Sequence, residues 1–207
     1  MIMMKDVGDL NDLKAFAEAM RPGELTVISG ASGVGKTALA LRIAQELVGS
    51  DEANVEANAK RVLVFSPKHP LNFFVEKGLC RRRIYIDDCN HLDMAGVDCR
   101  TREMRRVFGV DLLIVDSVQS LRKNSGSDTP VAADEAAHQL RDLGVELGIP
   151  ALLVSEHSDA PFCEGACELA AVGDLARVAD VAICLRRNAD TGLGSYCMSR
   201  KVEQPMV

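Results

Sequence analysis

A chain of 207 residues with 47% hydrophobic content can bury a sizeable core, so one unit spanning 1–207 is expected, with little room for accessory domains. Its formal net charge of −6 repels polyanions as a whole, and its 4% aromatic content without Trp leaves few platforms for stacking bases; any nucleic-acid contact must come from local basic clusters. Seven cysteines, an odd number, fit reduced thiols in a cytoplasmic protein better than a disulfide framework, and the sequence shows neither a secretory leader nor an apolar run of membrane-spanning length.

Residues 1–24 form a lead-in that includes a helix expected over 9–20. Leu25-Thr26-Val27-Ile28-Ser29 reads as a strand and 38–48, rich in Ala, Leu and Ile, as a helix. The acidic, Ala-rich stretch 51–60 reads as a surface connection. Val62-Leu63-Val64-Phe65 is a second buried strand, 71–80 a helix, and Ile84-Tyr85-Ile86 a short strand. Leu112-Leu113-Ile114-Val115 runs into Asp116, and Ala151-Leu152-Leu153-Val154 into Ser155 and Glu156; unbroken apolar runs of this length suit central parallel strands. Between them 132–147 has helical period and stops at Gly148 and Pro150. Val181-Ala182-Ile183-Cys184-Leu185 and Tyr196-Cys197-Met198, joined by a turn at 190–192, complete the sheet. Short strands alternating with helices give an α/β class with a mostly parallel sheet. The irregular stretches 124–130 and 158–165 follow the carboxyl ends of central strands, where open α/β sheets place ligands.

The chemistry concentrates in Gly30, Ala31, Ser32, Gly33, Val34, Gly35, Lys36 and Thr37, which satisfy the phosphate-loop pattern with a strand before and a helix after. Glycines let the backbone wrap closely so that N–H groups aim at phosphates, while the helix presents its positive end. Lys36 is expected on the β- and γ-phosphates of ATP and the Thr37 hydroxyl on Mg²⁺. Asp116, closing a hydrophobic strand, is the expected second carboxylate partner of the metal. The cation groups Arg81-Arg82-Arg83, Arg100/Arg102/Arg105/Arg106 and Arg122-Lys123 read first as solvated helix faces or loops. Cys89, His91, Asp93 and Cys99, and separately Cys163 and Cys167, lack paired zinc-ligand spacing and read as packing or surface residues.

The order of these segments resembles the C-terminal ATPase domain of the DnaB-type bacterial replicative DNA helicase, within the RecA-like superfamily. The resemblance runs from about Asp9 to Lys201. It includes Pro22-Gly23-Glu24-Leu25, the loop through Thr37-Ala38-Leu39-Ala40, Ile84-Tyr85-Ile86-Asp87-Asp88, Asp116 with Gln119 three residues on, and Gly173 with Ala179-Asp180-Val181. It implies a RecA-like P-loop NTPase core with helices on both faces of the sheet and a C-terminal β-hairpin, without the separate N-terminal helicase domain. It also implies ATP hydrolysis coupled to single-stranded DNA in DNA replication, and hexameric rings. Arg122 and Lys123 are the cations on the first DNA-facing loop; Asp159 and Glu164 make the second acidic.

The sequence departs from that family where turnover is made. The family's water-activating glutamate follows the second strand; here the stretch is Phe65-Ser66-Pro67-Lys68, with Lys68 in its place. Glu156 stands where the family carries a phosphate-sensing Gln and is the one carboxylate offered as a substitute catalytic residue. In the final hairpin Arg200 takes the family's Lys position and Val202 that of its arginine finger, with Lys201 reachable by a slip of register. Two readings therefore stand: a DNA helicase or DNA-dependent ATPase, and a hydrolysis-impaired nucleotide-binding interaction or regulatory module. A small-molecule kinase sharing only the phosphate loop is disfavoured by the helicase-like segment order.

Overall fold

The computed structural model describes residues 3–6, 10–49, 59–76, 78, 82–124, 128–156, 175–187 and 194–200. Its strands are β1 (Met3–Asp6), β2 (Leu25–Gly30), β3 (Val62–Phe65), β4 (Ile84–Asp87), β5 (Leu112–Asp116), β6 (Ala151–Glu156), β7 (Val181–Arg187) and β8 (Gly194–Arg200). They make one eight-stranded sheet in the order β1-β8-β7-β2-β6-β5-β3-β4. From β7 to β4 every pairing is parallel, while β8 pairs antiparallel with β7 and β1 antiparallel with β8. The mostly parallel α/β sheet and its terminal hairpin are thus as expected.

Side-chain alternation along the strands divides the core between the two faces of the sheet. Val27, Leu63, Phe65, Leu113, Val115 and Leu153 pack on one side with α4 (Met94–Phe108), α5 (Ala133–Leu147) and α6 (Leu175–Val178). Ile28, Val62, Val64, Ile114, Leu152 and Val154 pack on the other with α1 (Leu10–Glu18), α2 (Lys36–Val48) and Phe74 of α3 (Leu71–Glu76). Because both faces are covered, the strands can be continuously apolar, and each fully buried Leu, Ile or Val contributes about 1.5–3 kcal/mol of transfer free energy. Helix ends follow local chemistry. Asp93 caps α4 by accepting the Gly96 N–H at 2.8 Å, and Gly148, at φ 62°, closes α5 in the left-handed region before Pro150.

Four elements were not anticipated: β1, α4, α6 and a 3-10 turn at Val118–Ser120. The edge strand β1 consists of Met3-Met4-Lys5-Asp6, without the β-branched run that signals a strand, and exists by pairing with β8. Helix α4 buries only Met94, Val97 and Thr101 among many charges, so its sequence reads as a cationic surface rather than as a packed helix. The helix expected over 71–80 is described over Leu71–Glu76. The turn at 190–192, the stretch 158–165, Gly173, and most of 51–60 lie outside the described residues.

Candidate functional site

Parallel register brings the carboxyl ends of three strands together at the phosphate loop: Gly30 lies beside Glu156 of β6 on one side and Leu185 of β7 on the other. The approach is close enough that a Cβ on Gly30 would sit 2.7 Å from the Leu185 carbonyl oxygen, so the strand can end there only as glycine. Gly35, at φ 105°, turns the chain into α2. Lys36, 6% exposed, donates from Nζ to the carbonyls of Gly30 at 2.9 Å and Ala31 at 2.7 Å, which stitches its ammonium to the loop. Burial pushes the Lys36 pKa down, and the positive charge of Lys68 adds to this; the carboxylates of Glu156 and Asp116 pull it back up.

Asp116 is the last residue of β5 and is buried. Its Oδ1 accepts the Thr37 hydroxyl at 3.2 Å, joining residues 79 apart in sequence. Burial raises the Asp116 pKa, prevailing over the Thr37 hydrogen bond and the positive charges of His69, Lys36 and Lys68. A hydroxyl and a desolvated carboxylate side by side are hard oxygen donors of the kind Mg²⁺ takes, and a cation there would compensate the buried charge. On the loop, an added Cβ at Gly33 or Gly35 would meet nothing within 4 Å among the described residues, so this side is clear for a phosphate chain. These residues therefore fit Mg²⁺ with a nucleotide.

The positions flanking this pair hold each other. Lys68, beyond the end of β3, donates from Nζ to Glu156 Oε1 at 2.5 Å, across 88 residues of sequence. That hydrogen bond holds the Glu156 carboxyl below the usual carboxylate range; burial opposes it, and the charges of Lys68, Lys36 and His69 reinforce it. Gln119, in the 3-10 turn Val118–Ser120, fixes the end of β6: its Nε2 donates to Ser155 Oγ and to the Glu156 carbonyl, and its Oε1 accepts the Glu156 N–H, each at 3.0 Å. Sequence reading singled out Gln119 by position without showing this clamp. It missed His69, whose ring stacks on Phe73 at 4.6 Å beside the site; a lone His next to a more conspicuous Lys68 carries no pattern.

The structure commits several of the sequence's cationic candidates to structural contacts. Arg100 pairs with Asp87 at 2.5 Å, Arg102 with Asp98 and Glu146, and Arg105 donates to the Val110 carbonyl. Arg122 donates from Nη1 to the Asp128 carbonyl at 2.8 Å and staples its own loop, whereas Lys123 is exposed. Arg200 makes a two-pronged ion pair with the buried Glu24, at 3.0 and 3.2 Å, and lies opposite Val181 at the amino end of β7, the far edge from the phosphate loop. Lys201, Val202, Asp159 and Glu164 lie outside the described residues. Cys89, Cys99 and Cys184 take part in no disulfide, and among the described residues no group of three or more His, Cys, Asp or Glu is placed to hold a metal ion. No helix among the described residues is long and apolar enough to cross a membrane.

Comparison with known proteins agrees with this architecture. No protein-family model matches the chain. It is 21% identical over 173 residues to the replicative DNA helicase DnaB of Geobacillus stearothermophilus, an alignment covering 71% of this chain and 38% of that protein. A solved ATPase domain superposes with a TM-score of 0.62 at 16% identity, covering 81% of this chain and 70% of that one. A DnaB-like replicative helicase, solved in a study of its interactions with primase, gives 0.62 at 16% identity over 82% of this chain and 49% of that one. The chain thus has the RecA-like fold of DnaB-type ATPase domains, spans well under half the length of the DnaB relative, and is similar to it in sequence.

Proposed function

We propose that this chain, folded as a DnaB-type ATPase domain, is a helicase-like nucleotide-binding module that takes ATP with Mg²⁺ and hydrolyses it slowly. The observation that carries the reading is the contact of Thr37 with Asp116 at the mouth of the glycine loop, which joins the hydroxyl and the carboxylate a nucleotide-bound cation requires. In this reading the backbone of 30–37 and Lys36 hold the phosphates, while Thr37 and Asp116 hold the metal. When bound, Mg²⁺ neutralises charge on the phosphate oxygens and polarises the group to be transferred. Slow turnover follows from Lys68, which puts a cation where the water-activating base of the resemblance would stand.

The motor reading has one observation in its favour. Gln119 couples the turn after β5 to the end of β6, and in the resemblance the loops leaving these two strands face single-stranded DNA. Lys123 on the first of them is exposed. Under that reading the chain hydrolyses ATP on single-stranded DNA within a hexameric assembly.

Titration calorimetry with ATP and ADP in Mg²⁺, and steady-state phosphate release with and without single-stranded DNA, separate the readings. We expect nucleotide binding with turnover lower by roughly 10²- to 10⁴-fold than a site with its general base, and no stimulation by DNA. Absence of binding to either nucleotide overturns both readings. Rapid, DNA-stimulated turnover overturns slow hydrolysis in favour of the motor.

A further inference from the structure

We infer that Lys68 is the residue by which this site tells a triphosphate from a diphosphate, with Glu156 as the anion it leaves to do so. This deepens the nucleotide-binding reading above and rests on it. Glu156 is next to Gly30 in the parallel register, so its carboxylate flanks the start of the phosphate loop, and the ammonium of Lys68 is drawn to the same point. Lys36, whose partner would be the outer phosphates, lies within electrostatic reach of both Glu156 and Lys68. Asp116 in turn senses Lys36 and Lys68. One cation of this group, Lys36, is sequestered against its own loop's carbonyls; the other, Lys68, is 48% exposed and held by a carboxylate that is 33% exposed.

A pair this exposed is weak, because water and salt screen it and two long side chains must be ordered to form it. A terminal phosphate carries more charge than a carboxylate and offers three acceptor oxygens, so Lys68 exchanges Glu156 for it. A diphosphate has no γ-phosphate and ends one phosphate short, at the β-phosphate that the loop and Lys36 would hold, and Lys68 then stays with Glu156. The exchange needs no backbone movement at β6, since the Glu156 peptide is held by Gln119 whichever way the carboxylate turns. Discrimination is thereby supplied within one chain, by a lysine on the β3 side of the site.

The test is calorimetric titration of the full chain, and of its K68A, K68R and E156Q variants, with AMP-PNP and ADP in Mg²⁺, read as the ratio of the two affinities. Wild type is expected to prefer AMP-PNP. In K68A the ratio falls by at least about tenfold, the scale of one charge-assisted hydrogen bond, and K68R restores most of it. E156Q, which frees Lys68 in advance, tightens AMP-PNP several-fold. An unchanged ratio in K68A, or weaker AMP-PNP binding in E156Q, overturns the inference while leaving nucleotide binding intact. If wild type binds neither nucleotide, the nucleotide reading itself falls. ADP binding by K68A serves as the internal sign that the variant is folded.

Discussion

Replacing Asp116 by Asn should make this protein more stable and remove its metal-dependent nucleotide binding. The carboxylate is 5% exposed, and burial outweighs every favourable partner it has, so its pKa in the folded chain lies above the ordinary 3.8. A carboxyl with a raised folded-state pKa contributes stability that is fully present below its unfolded pKa and is lost as pH rises through its folded pKa. At neutral pH the ionised Asp116 is therefore a net cost. D116N removes the charge, keeps an oxygen for the Thr37 hydroxyl, and is expected to add about 0.5–2 kcal/mol, the usual yield of relieving a functional site. For a domain of this size that is a rise of roughly 1–8 °C in Tm. Melting both proteins by circular dichroism in Mg²⁺-free buffer from pH 8 downward checks the sign as well as the size. The variant's advantage should be full at pH 7–8, shrink as pH falls through the raised Asp116 value, and close near the ordinary carboxylate value. The reasoning is refuted if D116N melts lower than wild type at neutral pH, or if the difference does not change with pH.

Further outcomes follow from other buried groups. Thr26, fully buried in β2, has a hydroxyl without a hydrogen-bond partner among the described residues, so T26V should raise stability by about 1 kcal/mol, read as a higher urea midpoint at constant slope. Arg200→Ala strands the Glu24 carboxylate, whose pKa burial already raises; the loss should be about 1–3 kcal/mol, and markedly smaller in an E24Q background, by chemical denaturation of the four proteins of the cycle. The double change K68E/E156Q installs the glutamate and glutamine that the resemblance to DnaB-type helicases places after the corresponding strands. Phosphate release should then rise by roughly 10²-fold or more, while K68E alone, setting two carboxylates against each other, should gain far less.

The glycine loop and Asp116 could be read from sequence because each is a local pattern: a strand, a fixed spacing of glycines, a helix; or an apolar run closed by one acid. The pair of Lys68 and Glu156 is of another kind. Each residue was visible as a departure from the family, but their union depends on sheet order, which sets β5 and β6 between β3 and β2, and on register, which places Glu156 beside Gly30. No spacing rule carries that information across 88 residues. The same limit explains Arg122, which reads as a free surface cation but is used as a loop staple, and β1, whose strand state comes from its partner β8 rather than from its own side chains. Helix α4 was illegible because Arg100 and Arg102 find their acids on β4 and α5, so charge that reads as a basic patch is paired across the surface with neighbouring elements.

The amide of Gln119 is both giver and receiver to the main chain of one residue, Glu156, and this restricts what evolution or an engineer can put there. Glutamate could receive but not give, lysine could give but not receive, and asparagine is one methylene short. Only the glutamine side chain meets all three contacts from that backbone position. The end of β6 is consequently tied at Ser155 and Glu156, while none of these bonds involves the Glu156 carboxylate. Any change of partner by Glu156 is therefore a change of side-chain rotamer about a fixed backbone rather than a shift of the strand.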